Sequence, residues 1–511
     1  MAALLLRDVR VVPLDGPSAT APVEPVDLLV RDGRVVAVGP GLHGAITAGV
    51  PVVDGQGRYA VPGLWDQHVH MVQWGLGQTR LDTSGTSGPQ EVLDLVAARL
   101  AGGLDTPTGV LVGWGHRTGR WPERPTVAAL DAVSGDIPVA LIAGDGHHGW
   151  LNSAALRLVG GPMVPGVVAE GQWFPLYDRL QRLHGAAEEA ELGVAQAIAD
   201  AHTKGIVGIV DLEFGQPWLQ WRARTAEGLP PLRARTGVYP EGLDEVIVAG
   251  ARTGDPIRAT DGLVTLGPLK VITDGSLNTR TAWCCQPYAD AAALDLPSGA
   301  PNLPADELVA LLHRAHGAGL EVALHAIGDA AVKAVLDAFA ATGAAGSVEH
   351  AQLVDLADVE RWATLADRVR ASVQPAHLID DRSVTEQCWP DRTHRTFTLR
   401  SFLDAGIELA LGSDAPVSPL DPWLAMAAAV HRGDTSSGQE SWHPEQEITA
   451  REALAASVDG QRLAPGAPGD VVLLDADPLA SPDAPSAERA RVLREMTVSL
   501  TVLDGQVVHG G

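Results

Sequence analysis

Hydrophobic residues at both ends of the chain form short runs that are broken by turn residues. These runs cover residues 4–14, 26–40, 50–63, 469–478 and 498–511. Asp-Gly pairs at Asp32-Gly33 and Asp54-Gly55 are typical of tight turns between strands. Because no helical spacing intervenes, we predict a β-sandwich domain that both termini build together, from residues 1–60 and 465–511.

The middle of the chain, residues 61–464, alternates between apolar runs and amphipathic stretches. Stretches such as 187–205 and 306–319 repeat apolar residues at helical spacing. The apolar runs predict eight strands, at residues 63–70, 205–213, 233–240, 265–275, 321–326, 346–351, 370–376 and 408–415. Eight such strand–helix units predict an α/β fold of the (β/α)8 TIM barrel type.

One segment does not fit the alternation. Residues 75–195 are too long for a loop between two barrel elements, and they contain strand-like runs at 109–116 and 137–148. We therefore predict an insertion after the first barrel strand, lying over the barrel mouth.

The composition narrows the classes of function. A net charge of −26, from 63 acidic and 37 basic residues, disfavours binding to nucleic acid or to anionic membranes. No apolar stretch is long enough to span a membrane, and Arg7 and Asp8 interrupt the N-terminal apolar run, unlike a signal peptide. The three cysteines lack the spacing of a disulfide framework or a metal motif. We expect a cytoplasmic protein that acts on a small molecule.

Two histidines close the first predicted barrel strand. His68 and His70 are separated by one residue, so their side chains lie on the same side of a strand. Two neutral imidazoles in one small volume supply half of a metal site. The same spacing also occurs in an ordinary histidine pair on a wet strand face, so the motif alone leaves both interpretations open.

Four further strands carry a polar residue within or at the end of an apolar run: Lys270, His325, His350 and Asp414. Taken singly, each has an ordinary structural explanation, such as a hydrogen-bonded core histidine, a helix cap or a lysine that reaches solvent. The active sites of barrels are built at the carboxyl ends of their strands. Because all of these residues are predicted at that face with His68 and His70, we predict a centre for divalent cations.

These residue types also suit hydrolysis. Divalent cations that share a hydroxide can polarise a carbonyl group. A buried lysine beside cations loses its proton easily, and its free amine can react with CO₂ to form a bridging carbamate. Asp414 can take a proton from water and pass it to a leaving nitrogen.

Seven motifs resemble those of one family: VPGLWDQHVH (61–70), GDGHHGWLNSAAL (144–156), LKVITDGSLNTRTA (269–282), LHAIGDAAV (324–332), SVEHAQLV (347–354), SVQPAHLIDD (372–381) and LGSDAPVSPLDPW (411–423). The chain resembles the amidohydrolase superfamily, and within it the YtcJ-like branch, which includes N-substituted formamide deformylases. The resemblance runs from end to end. It implies a (β/α)8 barrel, a β-sandwich from both termini and attack by a metal-bridging hydroxide on a carbon–nitrogen bond.

The resemblance also implies a role for each ligand position. His68 and His70 would bind the more buried of two Zn²⁺ ions, and His325 and His350 the second. Lys270, carboxylated on its side-chain nitrogen, would bridge the two ions. Asp414 would ligate the first ion and act as the general acid/base. Dimers are common in the superfamily, so a homodimer is implied as well.

Five other residues are candidates for substrate contact because of their motif positions: Trp114, His147, Asp274, Arg280 and His377. The alternative for each is a structural role, in which it orients a ligand or shapes a loop.

We therefore predict a metal-dependent hydrolase of non-peptide carbon–nitrogen bonds, acting on linear or N-substituted amides such as formamides. A mononuclear deaminase, or a cyclic-amide or lactone hydrolase, is an alternative on the same scaffold. A third alternative is a non-catalytic metal-binding relative. The lysine motif favours the hydrolase over the deaminase, and the presence of all six ligand positions favours an enzyme.

Overall fold

The computed structural model of the protein describes residues 3–15, 24–44, 49–118, 121–144 and 148–510. The chain divides into two compact units, one formed by residues 1–70 with 198–511 and the other by residues 71–197. Within the described residues, no helix has both the length and the apolarity needed to cross a membrane.

Twenty strands are present in the described residues: β1 (Ala3–Val11), β2 (Val26–Arg31), β3 (Arg34–Gly39), β4 (Val52–Pro62), β5 (Leu64–Val69), β6 (Leu81–Asp82), β7 (Leu111–His116), β8 (Val139–Ala143), β9 (His148–Leu151), β10 (Val168–Ala169), β11 (Ile206–Asp211), β12 (Arg233–Val238), β13 (Val264–Ile272), β14 (Val322–Ala326), β15 (Gly346–His350), β16 (Val369–Val373), β17 (Leu409–Leu411), β18 (Val471–Leu474), β19 (Val498–Leu503) and β20 (Gln506–His509).

The same residues contain sixteen α-helices: α1 (Met71–Thr79), α2 (Pro89–Ala101), α3 (Val127–Ser134), α4 (Ser153–Leu158), α5 (Phe174–Gln181), α6 (Ala186–Thr203), α7 (Pro217–Glu227), α8 (Leu243–Ala249), α9 (Ala305–Ala318), α10 (Asp329–Thr342), α11 (Leu356–Ala363), α12 (His377–Cys388), α13 (Leu399–Asp404), α14 (Pro422–His431), α15 (Ala450–Ala455) and α16 (Ser486–Arg494).

Eight parallel strands form the barrel, in the order β5, β11, β12, β13, β14, β15, β16, β17. The barrel closes between its first and last strands, where Val69 bridges Ala415 and the Asp414 amide donates to the His68 carbonyl at 2.7 Å. Each of the eight predicted strands is present in the predicted order, so the predicted fold class is confirmed. The residues of strands such as β5 and β11 are all buried, as expected when a sheet is covered on both faces.

The helices of the barrel follow the predicted periodicity. The stretch 306–319 forms α9, which buries Leu308, Leu312 and Ala315 against the core. The helix ends where Gly319 adopts a left-handed conformation with φ 78°, a common way to terminate a helix.

Strands from both termini join in one seven-stranded sheet, in the order β20, β19, β18, β4, β1, β2, β3. β4 is parallel to β1 and antiparallel to β18, so this strand connects the two ends of the chain. Residues from both ends, including Leu6, Val30, Leu473 and Val502, pack into one hydrophobic cluster. The additional sheet built by both termini is therefore confirmed.

One predicted turn is wrong. Asp32-Gly33 connects β2 to β3 as expected, but Asp54-Gly55 lies inside β4. The pairing of β4 with β1 shifts between Arg7–Asp54 and Val9–Arg58. The extra residues of β4 in this interval form a bulge, which absorbs the Asp-Gly pair without ending the strand.

Residues 71–197 contain a five-stranded sheet of their own, in the order β10, β9, β8, β7, β6. The side chain of Asn152 is buried in this unit. Its oxygen accepts from the Val139 and Ala155 amides, and its amide donates to Ser134 Oγ, so it links the sheet to two helices. The position of this unit over the barrel mouth stays a prediction.

Candidate metal centre

The structure brings the six predicted ligands together at the carboxyl ends of the barrel strands. His68 Nε2 and His70 Nε2 each lie 3.4 Å from Asp414 Oδ1. Lys270 Nζ lies 3.4 Å from His68 Nε2. The ring of His350 has its centroid 5.1 Å from that of His68 and 4.6 Å from that of His325.

Two of these residues have an unusual backbone conformation. His350, at the end of β15, has φ 71°, and Asp414, just after β17, has φ 55°. Left-handed conformations are uncommon for residues other than glycine and are concentrated at functional sites. At Asp414, the hydrogen bond from its amide to the His68 carbonyl holds this conformation in place.

Donor atoms of the cluster form two groups that share one carboxylate. The first group contains His68, His70 and Asp414, and the second contains His350, His377 and Asp414. Within each group the donor atoms lie within 4.8 Å of one another. His377 was predicted as a substrate contact, but the structure places it beside the predicted ligands. Its ring is stacked on that of His350, with centroids 6.2 Å apart.

Glu349 is a functional candidate that the sequence analysis missed. This buried carboxylate accepts a hydrogen bond from His68 Nδ1 at 2.7 Å and a second one from Ser347 Oγ. The only sequence signal was an acidic residue inside an apolar strand, directly before His350. A buried carboxylate requires a partner, so this sequence position indicates a contact but does not identify the contacting residue.

Burial sets the charge state of the histidines. It lowers the pKa of His68 to about 4 and holds the pKa of His350 well below its usual value. Both imidazoles are therefore neutral at pH 7, which is the form that binds cations. Burial also lowers the pKa of Lys270.

The carboxyl groups of Asp414 and Glu349 have lowered pKa values in spite of their burial. Burial alone would raise the pKa of Asp414, but the neighbouring histidines, His68 foremost, hold it well below its usual value. Burial likewise disfavours the charged form of Glu349, but the hydrogen bond from His68 outweighs it and lowers the pKa of Glu349 to about 2. Both groups are therefore ionised at neutral pH.

The residues present fit a divalent cation. Neutral imidazole nitrogens and a carboxylate are the ligands that zinc and related ions prefer. In addition, Nδ1 of His70 and Nδ1 of His350 are buried and have no hydrogen-bond partner among the described residues. Buried polar atoms left without a partner are costly, and they concentrate at sites that bind ions or perform chemistry.

Asp274 was predicted as a substrate contact, but the structure gives it another role. Its carboxylate is fully buried and accepts from His325 Nδ1 at 3.0 Å. It also accepts from the amides of Trp283, Ile327 and Gly328 at 2.9 to 3.1 Å. These four bonds leave no oxygen for a substrate, so Asp274 orients the His325 ring.

The other three substrate candidates are Arg280, Trp114 and His147. The Arg280 side chain donates to the Asn278 carbonyl and to Asp290, and neither of these is a predicted ligand. Trp114 lies in β7 of the other unit, where the Arg80 guanidinium covers its ring at 5.7 Å. His147 lies outside the described residues.

The sequence profile of the amidohydrolase family matches residues 51–509. The chain belongs to the amidohydrolase family. The putative amidohydrolase YtcJ of Bacillus subtilis (strain 168) is 27% identical over 492 residues, covering 89% of this chain and 89% of the relative. An N-substituted formamide deformylase of Arthrobacter pascens is 26% identical over 527 residues, covering 94% of each chain.

A solved structure has the same fold. The crystal structure of an uncharacterized metal-dependent hydrolase from Pyrococcus horikoshii OT3 superposes with a TM-score of 0.77 at 24% identity, covering 94% of this chain and 99% of the other. The predicted resemblance is thus confirmed. This amidohydrolase is a metal-dependent hydrolase of small molecules, and its His and Asp residues form a candidate metal-binding group.

Proposed function

We propose that this amidohydrolase cleaves the carbon–nitrogen bond of a linear or N-substituted amide, such as a formamide, and releases a carboxylic acid and an amine. The observation that carries the proposal is the position of Asp414, whose carboxylate belongs to both groups of donor atoms. A carboxylate in that position lies next to any cation the histidines hold. It also lies where a proton must move during hydrolysis.

We propose that the cluster holds two zinc ions. His68, His70 and Asp414 would hold one, and His325 and His350 would hold the other, with His377 close to the second. A bound pair of divalent cations lowers the pKa of a water molecule and polarises the carbonyl group of a substrate.

Lys270 is proposed to connect the two groups as a carbamate. Its burial lowers its pKa, which raises the fraction of free amine. The amine nitrogen then forms a bond to the carbon of CO₂ and releases one proton. The product is an anion, which cations attract, whereas they would repel an ammonium group.

Asp414 is proposed to move the proton. Its ionised carboxylate takes a proton from the water that adds to the amide carbon. It passes that proton to the amide nitrogen as the carbon–nitrogen bond breaks, so the amine leaves as a neutral molecule. Glu349 and Asp274 hold His68 and His325 in one orientation and do not themselves react.

The substrate class is supported by the relative from Arthrobacter pascens, which is an N-substituted formamide deformylase. The buried Lys270 beside His68 favours a binuclear site over a mononuclear deaminase. We also propose that the protein is a homodimer and that it is located in the cytoplasm, as expected from the sequence. Sedimentation equilibrium would test the homodimer.

The test combines metal analysis with turnover. We expect zinc-reconstituted protein to contain two ions per chain, to hydrolyse simple formamides and to show a carbamate signal in ¹³C NMR after exposure to labelled CO₂. Asp414→Asn should lower kcat by about 10²- to 10⁴-fold, whereas Asp404→Asn, on an exposed helix end, should not.

Lys270→Met should abolish the carbamate signal. One ion per chain together with deamination of an aminated heterocycle would instead identify a mononuclear deaminase. Full turnover by Asp414→Asn would contradict the proposed mechanism.

A further inference from the structure

A cavity of about 610 Å³ opens beside Lys270, at the carboxyl ends of β11, β12 and β13. All of its walls belong to the barrel unit. Most of them are hydrophobic, and they include Phe214, Tyr239, Pro240, Ile272, Leu303 and Leu311. Cavities of this size, with largely apolar walls, are typical of small-molecule sites.

Two contacts join this cavity to the candidate metal centre. Lys270 lines the cavity and also lies 3.4 Å from His68 Nε2. The ring of Phe214 stacks on that of His70, with centroids 5.4 Å apart and planes 23° apart. The cavity therefore adjoins the place where the carbonyl group of a substrate would be held.

Phe214 is unusually exposed for its position. The residue is 51% exposed, although the rings of His70 and Tyr239 have centroids only 5.4 and 5.1 Å from that of Phe214. The Tyr239 hydroxyl donates to the Leu212 carbonyl, so the Tyr239 ring is fixed. The exposed part of Phe214 thus forms a rigid aromatic wall, and exposed apolar surface of this kind marks binding sites.

The charges around the cavity are few. Among the described residues that line it, Lys270 and Glu241 alone carry a formal charge. The proposed function assigns Lys270 to the cations. Glu241 is exposed and has no basic partner in the described part of the chain. A substrate carboxylate in this cavity would therefore find no guanidinium or ammonium group to pair with, and Glu241 would repel it.

We propose that this cavity binds an uncharged, ring-sized apolar substituent on the amide nitrogen and discriminates against a carboxylate there, with Phe214 as the wall on which the substituent stacks. The inference rests on the proposed function, because it takes the amide to be the bond that is cleaved. It narrows the substrate class to amides of neutral, hydrophobic amines and disfavours N-acylated amino acids.

A matched pair of substrates tests whether the cavity discriminates against a carboxylate. N-formylphenylalanine differs from N-(2-phenylethyl)formamide by one carboxylate, and N-methylformamide lacks the ring. For the zinc-loaded enzyme we expect kcat/KM for the phenylethyl compound to exceed that for N-formylphenylalanine by about 100-fold, and that for N-methylformamide by at least tenfold. Equal kcat/KM values for the phenylethyl compound and N-formylphenylalanine would overturn the proposal.

Two variants test whether the substituent packs against the cavity wall. Phe214→Ala removes the aromatic face and should lower the phenylethyl-to-methyl ratio of kcat/KM by about tenfold. Leu311→Phe replaces another residue of the cavity wall with a larger one and should lower the same ratio. Leu219→Ala changes an exposed apolar residue on α7 outside the cavity and should leave the ratio unchanged. An unchanged ratio in both cavity variants would overturn the proposal.

A binding measurement separates this inference from the proposed function. 3-Phenyl-1-propanol has the ring and chain of the substrate but no amide bond, and calorimetry can follow its binding to zinc-loaded protein. If the enzyme hydrolyses none of the formamides, the proposed substrate class fails. The cavity assignment then stands if Phe214→Ala weakens the binding of 3-phenyl-1-propanol about tenfold, and it fails if the affinity is the same as in Leu219→Ala.

Discussion

The imidazole of His68 donates from Nδ1 to Oε2 of Glu349 across 2.7 Å, and the two side chains are only 1% and 2% exposed. Because Nδ1 carries the hydrogen, the lone pair of Nε2 is directed toward Asp414 and Lys270, each 3.4 Å away. A carboxylate of this kind fixes the tautomer of a metal-binding histidine and increases its basicity.

Replacing Glu349 with glutamine should weaken metal binding more than folding. The amide oxygen can still accept from His68, but the negative charge that strengthens the imidazole is lost. We expect zinc affinity to fall about 10- to 100-fold, measured by competition with a chromogenic chelator. Glu360→Gln, on the exposed side of α11, is the matched control. An unchanged zinc affinity in Glu349→Gln would show that the Glu349 contact does not tune the site.

Asp274→Asn should destabilise the protein even without metal. The carboxylate receives four hydrogen bonds, and an asparagine would direct its NH₂ group at two of those donors. Buried donors left without an acceptor cost about 1–3 kcal/mol each. We expect the urea midpoint of the metal-free protein to fall clearly, while that of Asp295→Asn, at an exposed site, should not change. Equal midpoints for the two variants would refute the orienting role.

The pH dependence of stability should have a contribution from His202. This buried side chain bonds through Nε2 to the Pro231 carbonyl at 2.9 Å, and burial lowers its pKa to about 4. The unfolded chain, with a pKa near 6.5, binds more protons between these values. The stabilisation is therefore complete above about pH 6.5 and is lost as the pH falls toward 4.

Between pH 7 and pH 5 this loss amounts to about 2 kcal/mol. His202→Gln keeps a donor for the Pro231 carbonyl but does not titrate, so its free energy of unfolding should fall less over this interval than that of the wild type. His313→Gln, an exposed residue of α9, should behave as the wild type. Identical pH profiles for His202→Gln and the wild type would contradict the prediction.

Gly328 should not tolerate a side chain. A Cβ atom at this position would lie 2.0 Å from the carbonyl oxygen of Trp283, which is backbone and cannot move aside easily. Gly328→Ala should therefore unfold the Asp274 neighbourhood and cost several kcal/mol. Gly317→Ala, within α9, meets no atom within 4 Å and should be neutral or stabilising by about 0.5–1 kcal/mol. Thermal unfolding of the two variants would compare them directly.

The fold could be predicted because its signals are periodic. The apolar runs that form barrel strands are buried on both faces, and the helices between them repeat apolar residues at helical spacing, as α9 shows. The bulge at Asp54-Gly55 was missed because its cause lies in the partner strand. The register of β4 against β1 cannot be seen in the local sequence.

The candidate ligands could be predicted because each stands at or near a strand end, where the topology of a barrel gathers side chains. The supporting residues could not be assigned in the same way. Asp274 shares a motif with Lys270, and His377 follows a barrel strand, yet Asp274 orients His325 and His377 lies beside His350. These roles depend on side-chain direction. Glu349 was overlooked because its partner, His68, belongs to a strand far away in the sequence.

The closure of the barrel between β5 and β17 has a consequence for synthesis on the ribosome. β5 leaves the ribosome early, but its neighbour β17 is made only after residue 408. β4 is also made early, and its neighbour β18 is made later than β17. Until then each strand has an open edge, which can recruit strands from other chains. Cells that produce this enzyme must therefore shield a nascent chain in which β4 and β5 each keep one unpaired edge for most of translation.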